Sequence, residues 1–218
     1  MRTRLFNLVQ RLRPVHFLRL FLLVLPLVAA SAPAPAQDAR QTAIFAGGCF
    51  WCVESDFDHV DGVLETVSGY SGGSTSENVT YKNHGAAGHR EVVRITFDSN
   101  KISYGELLDI FWRSVDPTDA GGQFCDRGHS YSTAIYTLNE EQAEIARNSK
   151  NTLEKSGKLK APVVTPISPA GRFFAAEDYH QDYHNKNPLR YSYYRFACGR
   201  DARVSDVWGS EAHKGIEK

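Results

Sequence analysis

Gly47 and Gly48 break the chain between an apolar run at residues 42–45 and a segment in which Phe50, Val53 and Phe57 recur near helical spacing. Glycine permits the tight reversal that ends a strand and starts a helix, so the pattern reads as a strand–turn–helix unit. Residues 63–70 alternate enough for a second strand, broken by Gly69, Gly72 and Gly73. Residues 89–97 alternate clearly: Val93, Ile95 and Phe97 share one face, and Glu91 extends it. Ser103 and Glu106 form a capping box. Leu107, Leu108, Phe111, Trp112 and Val115 then make a helical stripe that stops at Asp116-Pro117. The pattern closes with a strand at 131–138, a helix capped by Asn139 and Gln142 and running to Gly157, a short strand at 163–167 between prolines, and a short helix at 177–185. This order predicts an α+β fold, helices packed on a mixed or antiparallel sheet. Residues 189–218 read as an irregular, flexible tail.

Residues 1–36 stand apart from that pattern. They carry five arginines (Arg2, Arg4, Arg11, Arg13, Arg19) and no acid, then an apolar run at 20–30, then Ala34-Pro35-Ala36. A basic start, a run of about 11 apolar residues and an A-x-A site describe a secretory signal peptide, and a membrane span needs ~20. An uncleaved form would stay anchored. The domain division expected is a signal at 1–36 and a single domain at 37–218, with its core at about 42–188. The mature chain is then placed in a bacterial periplasm or secreted. Its formal charge changes from zero to 20 basic against 25 acidic residues, a net of −5. That balance excludes a nucleic-acid partner, which calls for a basic face.

The four cysteines, Cys49, Cys52, Cys125 and Cys198, admit several chemistries. In an oxidising compartment the default is two structural disulfides. A structural zinc site wants two close pairs, and only Cys49 and Cys52 form one, so no metal is expected. His180 and His184 lack the glutamate of a zinc helix and read as hydrogen-bonded or solvated. A thiol–disulfide oxidoreductase using the Cys49–Cys52 pair is the runner-up. It suffers because no proline occurs between Pro35 and Pro117 to face the pair. The favoured reading makes Cys49 a single nucleophile. At the start of a helix, free N–H groups and the helix dipole favour an anion, which would hold the thiol largely as thiolate. Phe50 and Trp51 add an aromatic wall.

These residues resemble the active-site motif of the peptide methionine (S)-S-oxide reductases, through Gly48-Cys49-Phe50-Trp51. The likeness extends through the glycine-rich segment 67–73, Tyr81, Gly88-His89-Arg90-Glu91, the stretch 126–136 and the segment 176–183, and covers roughly residues 42–188. The resemblance implies a ferredoxin-like core and reduction of the S epimer of methionine sulfoxide, free or in proteins. It implies Glu91 as the acid, Tyr81 and Tyr131 as hydroxyl donors to the substrate oxygen, Asp126 as an organiser of the pocket, and Phe50 and Trp51 around the substrate methyl. Cys49 would become a sulfenic acid. Cys198 is expected to resolve it first, with Cys52 second, because many relatives resolve from the tail. Cys125 reads as a small buried hydrophobe or part of a relay. No cofactor is implied. A thioredoxin-like donor, fed with electrons from the membrane, would restore the thiols, with dithiothreitol replacing it in vitro. A monomer is expected.

Overall fold

The computed structural model describes residues 39–74 and 78–217; the signal-peptide reading of residues 1–36 lies outside the described residues. The elements run β1 Arg40–Ala46, α1 Phe50–Asp58, β2 Val63–Ser71, β3 Arg90–Asp98, α2 Tyr104–Ser114, β4 Gly122–Gln123, β5 Asp126–Arg127, a 3-10 turn His129–Tyr131, β6 Ala134–Thr137 and α3 Glu140–Lys155. They finish with β7 Ile167–Pro169, β8 Phe174–Ala175, α4 Tyr183–Lys186, α5 Pro188–Ala197 and α6 Arg200–Trp208.

The sheet order is β7-β6-β1-β3-β2-β8. Its four central strands, β6-β1-β3-β2, pair antiparallel throughout. With α1 joining β1 to β2 and α2 leading from β3 toward β6, this is the ferredoxin-like βαββαβ plan expected from the resemblance. β7 adds to β6 in parallel and β8 adds to β2 antiparallel, so the sheet is mixed. One sheet face, with Phe45, Val93, Ile95, Phe97 and Ile135, packs on Val53 and Phe57 of α1 and on Leu107, Leu108 and Phe111 of α2. Alternation along β3 puts Glu91 on that same face, 2 % exposed. The capping box at Ser103 is formed as the sequence predicts.

The tail corrects its expectation. Residues 188–208 are not irregular but form α5 and α6, separated by Gly199 at φ 71°. Pro188 starts α5 at a position where no N–H is needed. Arg200, Val204 and Trp208, four residues apart, bury one face of α6, and the Trp208 indole donates to the Val115 carbonyl. The buried arginine disguises this stripe in the sequence. Two other elements shrink. The helix expected at 177–185 is a run of turns before α4, entered through Asp182 at φ 51°. The strand expected at 163–167 begins only at Ile167, because Pro162 and Pro166 donate no ladder bonds.

Gly48 sets the β1–α1 reversal at φ 91°, and a Cβ there would lie 2.7 Å from Gln123 Cβ. Gln123 cannot retreat: its amide is hydrogen-bonded to the Asp116 backbone N–H and carbonyl and to the Gly122 carbonyl. We expect Gly48→Ala to lower unfolding stability by about 1–3 kcal/mol, measured as a shift of the urea midpoint.

Candidate active site

Cys49 ends the reversal as the N-cap of α1, with φ −51° and ψ 121°. Its carbonyl accepts the amides of Cys52 and Val53, while its side chain caps nothing. The first helical amide behaves unusually: Phe50 N–H donates to Glu91 Oε2 at 2.9 Å across the buried sheet face. Burial raises the Glu91 pKa to about 8, and the Phe50 amide only partly offsets the rise. Glu91 therefore holds a proton at neutral pH, as a general acid must. Its other oxygen lies 4.0 Å from His84 Nε2, and burial pushes His84 down toward the neutral form.

The expectation of a resting thiolate is corrected. Cys49 is 7 % exposed, and burial together with the hydrogen-bonded Cys52 pushes its thiol well up. Cys52 goes the other way. Its sulfur is lowered mainly by the bond from Cys49, and the charges of Arg200 and Arg195 assist. Those two guanidiniums meet on buried Asp56, at 2.8 Å from Arg195 and 3.2 Å from Arg200. Cys49 sits at a non-helical cap position and Cys52 within the first turn, so the two sulfurs come together without distorting the helix.

Tyr81 and Tyr131 share a hydrogen bond between hydroxyls and both face Glu91. Tyr81 is 41 % exposed, and Glu177 holds its backbone amide at 3.0 Å. Trp51 stands partly exposed beside Cys49, stacked on Tyr183 at 3.7 Å. Its indole N–H donates to His180 Nδ1 at 3.0 Å. His180 is thus a buried positioning group for Trp51. Phe50, 1 % exposed, packs on Tyr70 and His180 in the core, and Trp51 offers the more open wall. His184 lies 3.5 Å from Asp58, apart from the site.

The cysteines divide into two pairs. Cys49 and Cys52 are free and buried, whereas Cys125 and Cys198 form a disulfide across 73 residues of sequence. In this state the thiol beside Cys49 is Cys52, and Cys198 is bonded elsewhere. Cys125, Asp126 and Cys198 place their donor atoms within 4.8 Å of one another, but sulfurs bonded to each other are not free thiolate ligands. Asp126 accepts the Tyr194 hydroxyl, and that same hydroxyl lies close enough to the Cys49 sulfur to favour its charged form. His180 is hydrogen-bonded, as the sequence reading allowed, but its partner Trp51 was not foreseen. Tyr194, Arg195 and Arg200 were not found from the sequence, and only the Arg200–Val204–Trp208 spacing gave any signal for them.

Comparison with known proteins places this geometry. The sequence model for peptide methionine sulfoxide reductase matches residues 41–212. The peptide methionine sulfoxide reductase MsrA 2 of Rhizobium meliloti is 55% identical over 183 residues, 84% of this chain and 91% of the relative. The MsrA of Bacillus subtilis is 48% identical over 177 residues, 80% and 99% of the two chains. Among solved structures, reduced Mxr1 from Saccharomyces cerevisiae aligns with a TM-score of 0.64 at 27% identity, over 71% of this chain and 88% of its own. Methionine sulfoxide reductase A of Corynebacterium diphtheriae aligns at 0.61 and 32% identity, over 71% and 78%.

A buried carboxyl with a raised pKa leaves a mark on stability. An unfolded Glu91 loses its proton near 4.5 and the folded one near 8, so between those values the unfolded state binds fewer protons and stability falls as pH rises. Glu91→Gln is expected to gain on the wild type through that window, by a few kcal/mol in order of magnitude, and to level off above it. Urea unfolding at a series of pH values measures the difference, and Glu54, also raised, cancels from it.

Proposed function

The chain belongs to the peptide methionine sulfoxide reductase family, and from that premise we propose that it reduces the S epimer of methionine sulfoxide, free and in proteins, at Cys49. The observation that carries the reading is one buried helix end that holds both a nucleophilic sulfur and a protonated carboxyl. A sulfoxide oxygen is a poor leaving group until it is protonated. With its methyl against Trp51, the substrate presents sulfur to Cys49 and oxygen to Glu91, and Tyr81 and Tyr131 donate hydroxyl hydrogen bonds. The thiol sulfur attacks the sulfoxide sulfur, Glu91 protonates the oxygen, and that oxygen passes to Cys49. Methionine sulfur gains two electrons and Cys49 loses two, becoming a sulfenic acid.

Cys52 then attacks the sulfenic sulfur, water leaves, and a Cys49–Cys52 disulfide forms. Cys52 replaces Cys198 as the preferred resolving thiol for two reasons. It already contacts Cys49, and Arg195 and Arg200 favour its thiolate. An external dithiol must reopen the disulfide. A thioredoxin-like protein supplies that chemistry, and dithiothreitol replaces it in vitro. We take a monomer as the working unit. The basic, apolar and A-x-A succession at residues 1–36 supports work outside the cytoplasm, with electrons fed from the membrane to the donor.

Wild-type protein given mixed epimers and dithiothreitol is expected to consume only the S epimer, and Cys49→Ser to consume none. One turnover without reductant, followed by mass mapping, is expected to show Cys49 joined to Cys52 with Cys125–Cys198 intact. A Cys49–Cys198 bond would return resolution to the tail. Insulin reduction by Cys49–Cys52 without sulfoxide turnover would make the chain a thiol–disulfide oxidoreductase instead.

A further inference from the structure

A protonated, buried thiol needs somewhere to send its proton when it attacks. Several groups around Cys49 cannot take it. Glu91 must keep its own proton for the substrate oxygen. His84 uses Nδ1 on the Tyr81 carbonyl. His180 uses Nδ1 on the Trp51 indole, and its buried Nε2 has no partner among the described residues. Cys52 accepts from Cys49, but a proton left there would disable the nucleophile of the second step, and Cys52 is enclosed by Tyr183 and Tyr191.

One path leads outward. The Tyr194 hydroxyl donates its single proton to Asp126 Oδ2; its ring stands edge-on to Trp51 at 5.8 Å and packs on the Cys52 cluster, close enough to the Cys49 sulfur to favour its charged form. A hydroxyl that donates in one direction still accepts in the other, so Tyr194 is able to take a proton from the thiol as it passes its own to Asp126. The outer end of the path, Asp126, is half-buried. Burial raises the Asp126 carboxyl, and Tyr194 and Arg200 restrain the rise. Tyr81, Tyr131 and Glu91 each lie near enough to Asp126 to feel its charge.

This path is covalently bracketed. Cys125 is the sequence neighbour of Asp126. Cys198 lies one helical turn beyond Tyr194, its amide donating to the Tyr194 carbonyl at 2.9 Å. Cys198 Sγ is 3.8 Å from Asp126 Oδ2, and the Cys125 amide donates to that sulfur at 3.2 Å. The Cys125–Cys198 disulfide therefore ties together the two segments that supply the donor and the acceptor of the Tyr194–Asp126 bond.

On the reductase reading above, we propose that the Cys49 thiol proton leaves through the Tyr194 hydroxyl to the Asp126 carboxylate, and that the Cys125–Cys198 disulfide holds this relay in place. As sulfur attacks, the thiol proton passes to Tyr194 Oη while the tyrosine proton passes to Asp126. Glu91 ends deprotonated and Asp126 protonated, and exchange with solvent resets both. Tyr194 is a catalytic residue of the first step. Asp126, which acts through it, is a positioning residue, as is the disulfide.

The test is single-turnover methionine release without reductant, across pH. Wild type is expected to give a bell, with a rising limb from Asp126 and a falling limb from Glu91. Tyr194→Phe, which keeps the ring, should slow release about 100-fold and move the rising limb upward, because the thiol must then ionise alone. Asp126→Asn should do the same, with partial rescue by Asp126→Glu. Cys125→Ser with Cys198→Ser should fall between wild type and Tyr194→Phe. A wild-type rate and rising limb in Tyr194→Phe or Asp126→Asn would overturn the relay. So would loss of methionine release in Cys52→Ser alongside its retention in Tyr194→Phe, which would give the proton to Cys52. No methionine from wild type would remove the reductase reading itself, a different failure from either.

Discussion

The hydrogen bond from the Phe50 amide to Glu91 joins the start of α1 to the core face of β3 and defines the site. A helix start leaves amides without intrahelical partners, and a buried carboxyl without a partner is costly. Each meets the other's need here. Oε2 accepts the amide, and Oε1 faces His84 Nε2 at 4.0 Å. The nucleophile is not ionised at rest chiefly because it is buried, with Cys52 and then Glu91 adding to the rise.

The tail follows from that arrangement. Removing a thiolate from the helix end leaves the favourable positive field to be supplied to the second sulfur, Cys52, from elsewhere. Arg195 and Arg200 supply it from α5 and α6, paired on Asp56. Arg200 also donates to the Gly47 and Ser114 carbonyls, so it ties the glycine reversal, the end of α2 and the tail to one guanidinium. A buried ion pair of this kind is weak evidence for stability but a strong constraint on geometry. It requires α6 to pack, and Val204 and Trp208 provide the apolar face.

Much of the fold was legible in the sequence. Alternation at 89–97 and the stripe at 107–115 follow from single periods, and the Ser103 box is local. Glu91 was placed correctly on the core face because period two leaves no other choice. The tail was misread because its buried positions are filled by Arg200, Tyr191 and Trp208 rather than by a simple aliphatic stripe. Tyr194 was invisible among ten tyrosines, since a hydroxyl's role depends on what it faces. The meeting of Cys125 with Cys198 depends on the path of 73 intervening residues. No spacing rule contains that. The resting state of Cys49 was misjudged for a related reason. The helix-end argument is local, and the burial that keeps the thiol neutral comes from elements distant in the sequence.

The two carboxyls complete the logic of the site. Glu91 is sealed on the sheet face and is held protonated by burial. Asp126 is half-open; burial raises it as well, and Tyr194 and Arg200 restrain the rise. The fuller burial of Glu91 suits it to the part of acid, and the partners of Asp126 suit it to that of base. Both act on the same short sequence of events at Cys49 sulfur. One delivers a proton to the oxygen that arrives with substrate, and the other receives the proton that sulfur releases. With two carboxyls present, neither must change role within a step, and the thiol can stay neutral until a substrate is present. A resting enzyme built this way keeps its nucleophile out of reach of adventitious oxidants. That protection has direct value for a cysteine whose own product is a sulfenic acid.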